Sequence, residues 1–198
     1  MVQADAANNR QLVGILLAAG RGARFDPSGA QNKLMQRLPD GAGVAVTAAR
    51  TLLSALPQVL AVVRPGANEL GAALRAVGCT VVTCPDADQG MGASLVFALS
   101  HVSDAAGWVI ALADMPYVDP TSIAALMEAL NDGADIVAPS YQGQRGNPVG
   151  LSRKHLAQLM TLGGDQGARS LLKMHAVTEV TVDDVGILRD IDTAQDLV

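Results

Sequence analysis

Aromatic residues are scarce: one Trp, two Tyr and two Phe among 198 residues. A core without aromatic bulk has to be aliphatic, built from Ala, Val and Leu, which suits alternating helices and buried parallel strands better than an aromatic-rich β-sandwich. Cysteine is nearly as rare. Cys79 and Cys84 have four residues between them, which is not C-x-x-C, and no histidine cluster accompanies them, so a structural zinc or a disulfide framework is excluded. A basic excess is missing too. The net charge is −5 with no Lys/Arg run and no interleaved aromatics, which argues against nucleic-acid binding. No apolar run approaches the roughly 20 residues that span a bilayer, and the first residues lack a basic stretch followed by an apolar one. The expectation is a cytoplasmic protein with no membrane partner.

Signatures of covalent catalysis are also absent. There is no G-x-S-x-G, neither cysteine sits beside a histidine signature, and His101, His155 and His175 fall in helical contexts without convergent spacing.

What the chain does contain is a regular alternation. Apolar runs at Gln11 to Ala18, Gln58 to Val63, Thr80 to Thr83, Trp108 to Ala113 and Asp135 to Ala138 read as strands. Helical patterns at Val44 to Leu56, Asn68 to Val77, Gly92 to Val102 and Pro120 to Asn131 separate them. A Gly-rich stretch, Tyr141 to Pro148, interrupts the series, and Asn147 to Leu151 is placed as a short antiparallel strand. Helices at Arg153 to Thr161 and Gln166 to His175, a strand at Thr178 to Val182 and a helix from Thr193 follow. The series predicts a three-layer α/β/α fold around a mostly parallel, Rossmann-like sheet, with ligands outside the carboxyl ends of the strands. Residues 1–9 are expected to be a disordered lead-in, and 10–198 one domain.

The most informative segment runs from Leu12 to Lys33. An apolar strand opens into a small-residue loop holding Gly20 and Gly22, with Arg21, Arg24 and Lys33 on it. Such a loop suits a polyphosphate, because glycine lets backbone N–H groups approach an anion and the fixed cations neutralise its charge. The spacing is neither G-x-x-x-x-G-K-[ST] nor G-x-G-x-x-G, since Lys33 lies well downstream and Phe25 stands where the third glycine belongs. The plainer alternative is a Gly-rich turn with solvated basic residues.

Two segments offer carboxylates. Asp114 ends the apolar run from Trp108 and precedes Met115-Pro116, which places it where a parallel sheet collects ligands; it could equally cap the following turn. Mg²⁺ prefers one or two carboxylates plus substrate phosphates, and Asp190 and Asp192, two residues apart, supply the second, while Thr193 can cap the last helix. A third segment, Pro85 to Leu95, exposes N–H groups at Gly90, Met91 and Gly92 and a hydroxyl at Ser94, suited to a base edge, although Ser94 could simply belong to a first helical turn. Gly143 to Val149 and Gly163 to Arg169 each pair backbone freedom with an arginine, Arg145 or Arg169, as an anionic second substrate requires; as plain turns, Asp165 would cap a helix and Arg169 would lie on its exposed face.

These segments resemble a known family. Leu17 to Arg24 with Lys33 matches L-x-A-G-x-G-x-R followed by lysine, the signature of sugar-nucleotide-transferase-like nucleotidyltransferases. Asp114 matches the aspartate of their L-x-D-M-P segment, and Asp190 to Leu197 resembles the terminal D-x-D-T-P-E-D-L, with Ala194 in place of the proline. Cys84 to Leu95 is similar to the base-binding loop N-x-x-x-x-Q-G-M-x-x-S-L of cytidylyltransferases, Cys84 replacing the asparagine. Arg145-Gly146-Asn147-Pro148-Val149 and Gly164 to Arg169 resemble the R-G-N-P-V and G-D-x-G-A-R segments of molybdenum cofactor cytidylyltransferases and their MobA-like relatives.

The resemblance implies a nucleotide-diphospho-sugar transferase-like fold and an Mg²⁺-dependent transfer of CMP from CTP to a molybdopterin-type acceptor, with pyrophosphate released. It implies Arg24, Lys33 and Asp114 as catalytic residues and Asp114 with Asp192 as metal ligands, the choice between Asp190 and Asp192 staying open. Nucleotide contacts fall to Leu17, Ala18, Ala19, Gly20, Gly22, Arg24, Lys33, Pro85, Gly90, Met91 and Ser94. Acceptor contacts fall to Arg145, Gly146, Asn147, Pro148, Asp165 and Arg169. CTP over GTP rests on Ala18-Ala19-Gly20, where guanylyltransferases of the group usually carry Ala-Gly-Gly. Guanylyl transfer, another small acceptor, or a non-catalytic accessory role beside a molybdoenzyme are the alternatives.

Overall fold

A computed structural model describes residues 11–28, 31–164 and 167–197. The lead-in expected at 1–9 and the candidate Asp165 lie outside the described residues. Strand β1 (Leu12–Ala18) is the middle of the parallel part of the sheet, pairing with β2 (Val59–Val63) on one side and β4 (Gly107–Leu112) on the other. β3 (Thr80–Thr83) adds parallel to β2. Beyond β4 the direction reverses. β7 (Val149–Ser152) runs antiparallel between β4 and β5 (Ile136–Tyr141), the short β6 (Gln144–Arg145) pairs with the end of β5, and β8 (Thr178–Thr181) joins β5 in parallel. The order β3-β2-β1-β4-β7-β5 is the mostly parallel mixed sheet expected of the sequence.

Both faces of the central strands β1, β2 and β4 are covered, which is why these three are apolar throughout rather than alternating. Leu16 and Ala18 of β1 face a core shared with α1 (Val44–Ala55), α2 (Asn68–Ala76) and α4 (Pro120–Asn131). Val13 and Ile15 face a second core with α3 (Met91–His101), α5 (Leu156–Leu159) and α6 (Arg169–Met174). Trp108 is the fully buried aromatic of this second core, with Phe97 packed at its edge. The Trp108 Nε1 donates to the Val102 carbonyl at 3.0 Å, so the indole brings no unsatisfied polar group inside. α4 begins as its sequence dictates, with Asp119 accepting from Thr121 N and Pro120 in the first turn.

Several expected bounds change. β5 continues through Pro139 to Tyr141: Pro139 has no N–H to give, but its carbonyl accepts from Gly146 N at 2.9 Å and the residue pairs with Val180. The helix expected over Arg153 to Thr161 is a 3-10 turn at Arg153–His155 followed by the four-residue α5. Its start is pulled toward the sheet because Arg153 N donates to the Ala106 carbonyl and its guanidinium reaches the Ser103 and Ala105 carbonyls. α6 starts at Arg169, and the closing helix is a 3-10 turn, Ala194–Leu197. Thr193 precedes this turn, its carbonyl accepting from Asp196 N at 3.1 Å. Its N–H and Oγ1 donate back to the Asp196 carboxylate at 2.7 and 2.9 Å, the return half of a capping box. No helix among the described residues is long and apolar enough to cross a membrane.

Candidate active site

A cleft of about 540 Å³ opens at the carboxyl ends of the parallel strands, within the range of roughly 300–1,000 Å³ usual for small-molecule sites. One wall is the loop after β1. Gly22 there has φ +65°, a left-handed value that suits glycine, and a Cβ at this position would meet the Lys33 stem at 3.3 Å. The opposite wall is the start of α3, where Gly90, Met91 and Ser94 face the cleft. Gly90, at φ +112°, turns the chain into α3, and Ser94 is buried in the first helical turn.

Asp114 and Asp192 close one end, with the exposed Asp190 beside them. Each offers a carboxylate oxygen, and all three oxygens lie within 4.8 Å of one another. Three elements bring them together. Asp114 follows β4, and its carbonyl accepts from Ile191 N at 2.8 Å, tying the two carboxylate segments to each other. Asp196 accepts from Asp192 N at 3.0 Å and from Thr193, which fixes the turn that presents Asp192. Buried Asp184 accepts from Asp119 N, Ser122 Oγ and Gly186 N, anchoring the C-terminal segment to the start of α4.

The cations lie among these oxygens. Lys33, only 9% exposed, places Nζ 2.6 Å from Asp114 Oδ2, 3.3 Å from Asp192 Oδ1 and 2.9 Å from the Ile191 carbonyl. Arg24 reaches Asp192 Oδ2 at 2.5 Å. Partial desolvation pushes the Asp190 carboxyl above the ordinary carboxylate range, and the charges of Asp192 and Asp114 add to the rise. A closely spaced set of hard oxygen donors with this mutual repulsion fits a divalent cation of the Mg²⁺ or Mn²⁺ type.

At the other end Asp88 accepts from Arg21 Nε at 3.0 Å and Arg64 at 2.8 Å, linking the glycine loop to the loop before α3. Sequence reasoning missed this triad. Asp88 lies inside the Pro85 to Leu95 segment, but Arg64, just past β2, belongs to no motif, and only the parallel pairing of β1, β2 and β3 brings the three loops side by side.

Of the nucleotide candidates, Leu17, Ala19, Gly20, Gly22, Arg24 and Lys33 line the cleft together with Gly90, Met91 and Ser94. Ala18 points into the core on the other side of β1, and Pro85 does not line the cleft. The acceptor candidates lie elsewhere. Arg145 pairs with Glu179 at 2.6 Å on the surface, Gly146 packs on the Ile187 carbonyl, and Asn147 N donates to that same oxygen. Asn147 and Pro148 line a small separate void under Leu112 and Met115. Arg169 opens α6, and the chain before it reaches the cleft wall: a Cβ on Gly92 would meet the Gly164 carbonyl at 2.8 Å, and Gly167 approaches Met91.

A glycine loop whose cations meet a carboxylate cluster at one end of a nucleotide-sized cleft, on this sheet, fits a nucleotidyltransferase. The chain belongs to the MobA-like NTP transferase domain family, which matches residues 14–180. Among solved structures it is similar to Rv0371c from Mycobacterium tuberculosis, at 29% identity and TM-score 0.81 over 94% of this chain and 95% of that one. The same protein in complex with manganese gives 28% identity and TM-score 0.75 over the same shares. Molybdopterin-guanine dinucleotide biosynthesis protein A from Archaeoglobus fulgidus, at 19% identity and TM-score 0.65 over 93% and 94%, shares the fold. No curated protein matches the sequence.

Proposed function

We propose that this nucleotidyltransferase uses CTP and transfers CMP to the terminal phosphate of a molybdopterin-type acceptor. An acceptor phosphate oxygen forms a bond to the α-phosphorus, the bond from that phosphorus to the bridging oxygen breaks, and pyrophosphate leaves with the electron pair. The nucleophile is already an anion, so alignment and charge neutralisation carry the catalysis. Gly20 and Gly22 amides, Arg24 and Lys33 take up charge on the departing pyrophosphate. Asp114 and Asp192 would hold Mg²⁺, with Asp190 in reach as a third donor. Bound there, the ion would neutralise phosphate oxygens; the manganese complex of the M. tuberculosis relative supports a divalent cation in this family.

The observation that carries the choice of CTP is Ala19. Ala19 is among the residues that line the cleft, at the position where guanylyltransferases of the group usually carry the middle residue of Ala-Gly-Gly. A methyl there narrows the space for a base, which favours a pyrimidine over a purine. Ser94 offers the base edge one hydroxyl. Arg145, Gly146, Asn147, Pro148 and Arg169 are proposed for the acceptor side, and the product is proposed to pass to a molybdoenzyme.

The test is mass spectrometry of the product formed from equimolar CTP and GTP with molybdopterin, in its metal-free and molybdenum forms. A cytidine dinucleotide product supports the reading. A guanine product keeps the fold and the carboxylate site but removes Ala19 as the determinant.

A further inference from the structure

Lys33 has three N–H donors, and all three have acceptors: Asp114 Oδ2, Asp192 Oδ1 and the Ile191 carbonyl. Two of these are oxygens that the proposed metal would need. The third belongs to a fully buried residue whose own N–H is held by the Asp114 carbonyl, so the ammonium sits in a seat built by the fold rather than on a mobile surface arm. Arg24 occupies Asp192 Oδ2, but its side chain is 79% exposed and its charge is screened, whereas that of Lys33 is 11% exposed. Lys33 is therefore the dominant positive charge among the three carboxylates.

We infer that Lys33 is a resident counter-ion of the carboxylate cluster, one that a divalent cation must displace from Asp114 and Asp192 and that the nucleotide phosphates then receive. This rests on the assignment of the metal to Asp114 and Asp192. A dication arriving alone meets an ammonium within hydrogen-bond distance of its own ligands, and that repulsion is large in a half-buried site. A dication arriving with a triphosphate brings the anion that takes the ammonium over. The path is short, because the Lys33 stem lies against Gly22 in the anion loop. Its four-carbon chain can swing the charge toward phosphates cradled there without moving the backbone. The consequence is an order of events in which metal enters with the nucleotide rather than ahead of it.

Neutralising Lys33 should therefore have two effects of opposite sign. Without nucleotide, Lys33→Met should bind Mn²⁺ about tenfold tighter than the unaltered protein, because one charge is removed from beside the ligands. Lys33→Arg, which keeps the charge, should stay within about threefold. With a non-hydrolysable CTP analogue present, the gain of Lys33→Met should disappear. Mn²⁺ binding would be followed by electron paramagnetic resonance and calorimetry, with circular dichroism confirming the fold and Lys33→Gln replacing Lys33→Met if the latter does not fold. Equal or weaker Mn²⁺ binding by the folded neutral variant overturns the inference while leaving the metal site in place. Binding to the unaltered protein that survives Asp114→Asn unchanged overturns the metal assignment itself, and the inference with it.

Discussion

At the carboxylate end of the cleft, Lys33 is nearly buried and meets two carboxylates and a carbonyl, and each of those groups is tied to another element. Arg145, proposed for the second substrate, stands half exposed on β6 with Glu179 as its partner, and its neighbours are fixed against Ile187 rather than against the cleft. The first region is built by the fold before a ligand arrives, with Lys33 seated among its carboxylates. The second presents charge on an open surface and has to exchange a protein partner for a substrate. On the proposed function, reaction chemistry belongs to the junction of β1, β4 and the C-terminal segment, and acceptor choice to the segment around Arg145.

Variants can break this contrast, beginning where the effect is greatest. Asp114→Ala should lower kcat about a thousandfold or more with the fold retained, since Lys33 keeps Asp192 and the Ile191 carbonyl as partners. Circular dichroism and single-turnover kinetics check both halves, and near-normal turnover would remove Asp114 from the mechanism. Next comes a split in Michaelis constants. Arg24→Ala should raise the nucleotide KM or lower kcat by about tenfold or more. Arg145→Ala should raise the acceptor KM and leave that of the nucleotide unchanged; an effect on the nucleotide alone would reverse the assignment.

Gly146→Ala tests the acceptor segment through stability. A Cβ there would fall 2.3 Å from the Ile187 carbonyl oxygen, a contact that must be relieved by backbone movement, and overpacking of this kind costs about 1–3 kcal/mol. Urea denaturation should show that loss, and an unchanged midpoint would mean that the 146 and 187 segments separate easily. Asp88→Asn should be milder. The Arg21 and Arg64 pairs are exposed enough for a net worth of about 0–1 kcal/mol, so the nucleotide KM should shift by no more than about fivefold. The smallest effect concerns pH. Because the folded-state pKa of Asp190 lies above its unfolded value, its ionisation opposes folding as pH rises through that range. Asp190→Asn should therefore leave the metal-free Tm at pH 7 equal or slightly higher, and a marked fall would assign Asp190 a structural bond instead.

Which parts were legible in the sequence follows from how far each interaction reaches along the chain. The strand of Leu12–Ala18, its glycine loop and the carboxylate after β4 are local patterns, and they lie where their spacing places them. The pairing of Asp114 with Asp192 across 77 intervening positions was legible only through resemblance, and the Ile191–Asp114 backbone bond that enforces it has no sequence signal. The Arg21–Asp88–Arg64 triad left no trace because it depends on which strands are neighbours. The second half of the chain was harder for a related reason. Arg153 makes tertiary hydrogen bonds where a regular helix was expected and a 3-10 turn stands, and propensity yields to such contacts.

The central claim is that one cleft joins a nucleotide loop to a metal-binding carboxylate cluster for nucleotidyl transfer. Its most direct test is pyrophosphate release by the purified protein with Mg²⁺ and CTP, with and without molybdopterin, repeated after chelation and with Asp114→Ala. The account predicts release that requires acceptor, divalent metal and Asp114 together. Release that persists without the metal, or in the Asp114 variant, would contradict it.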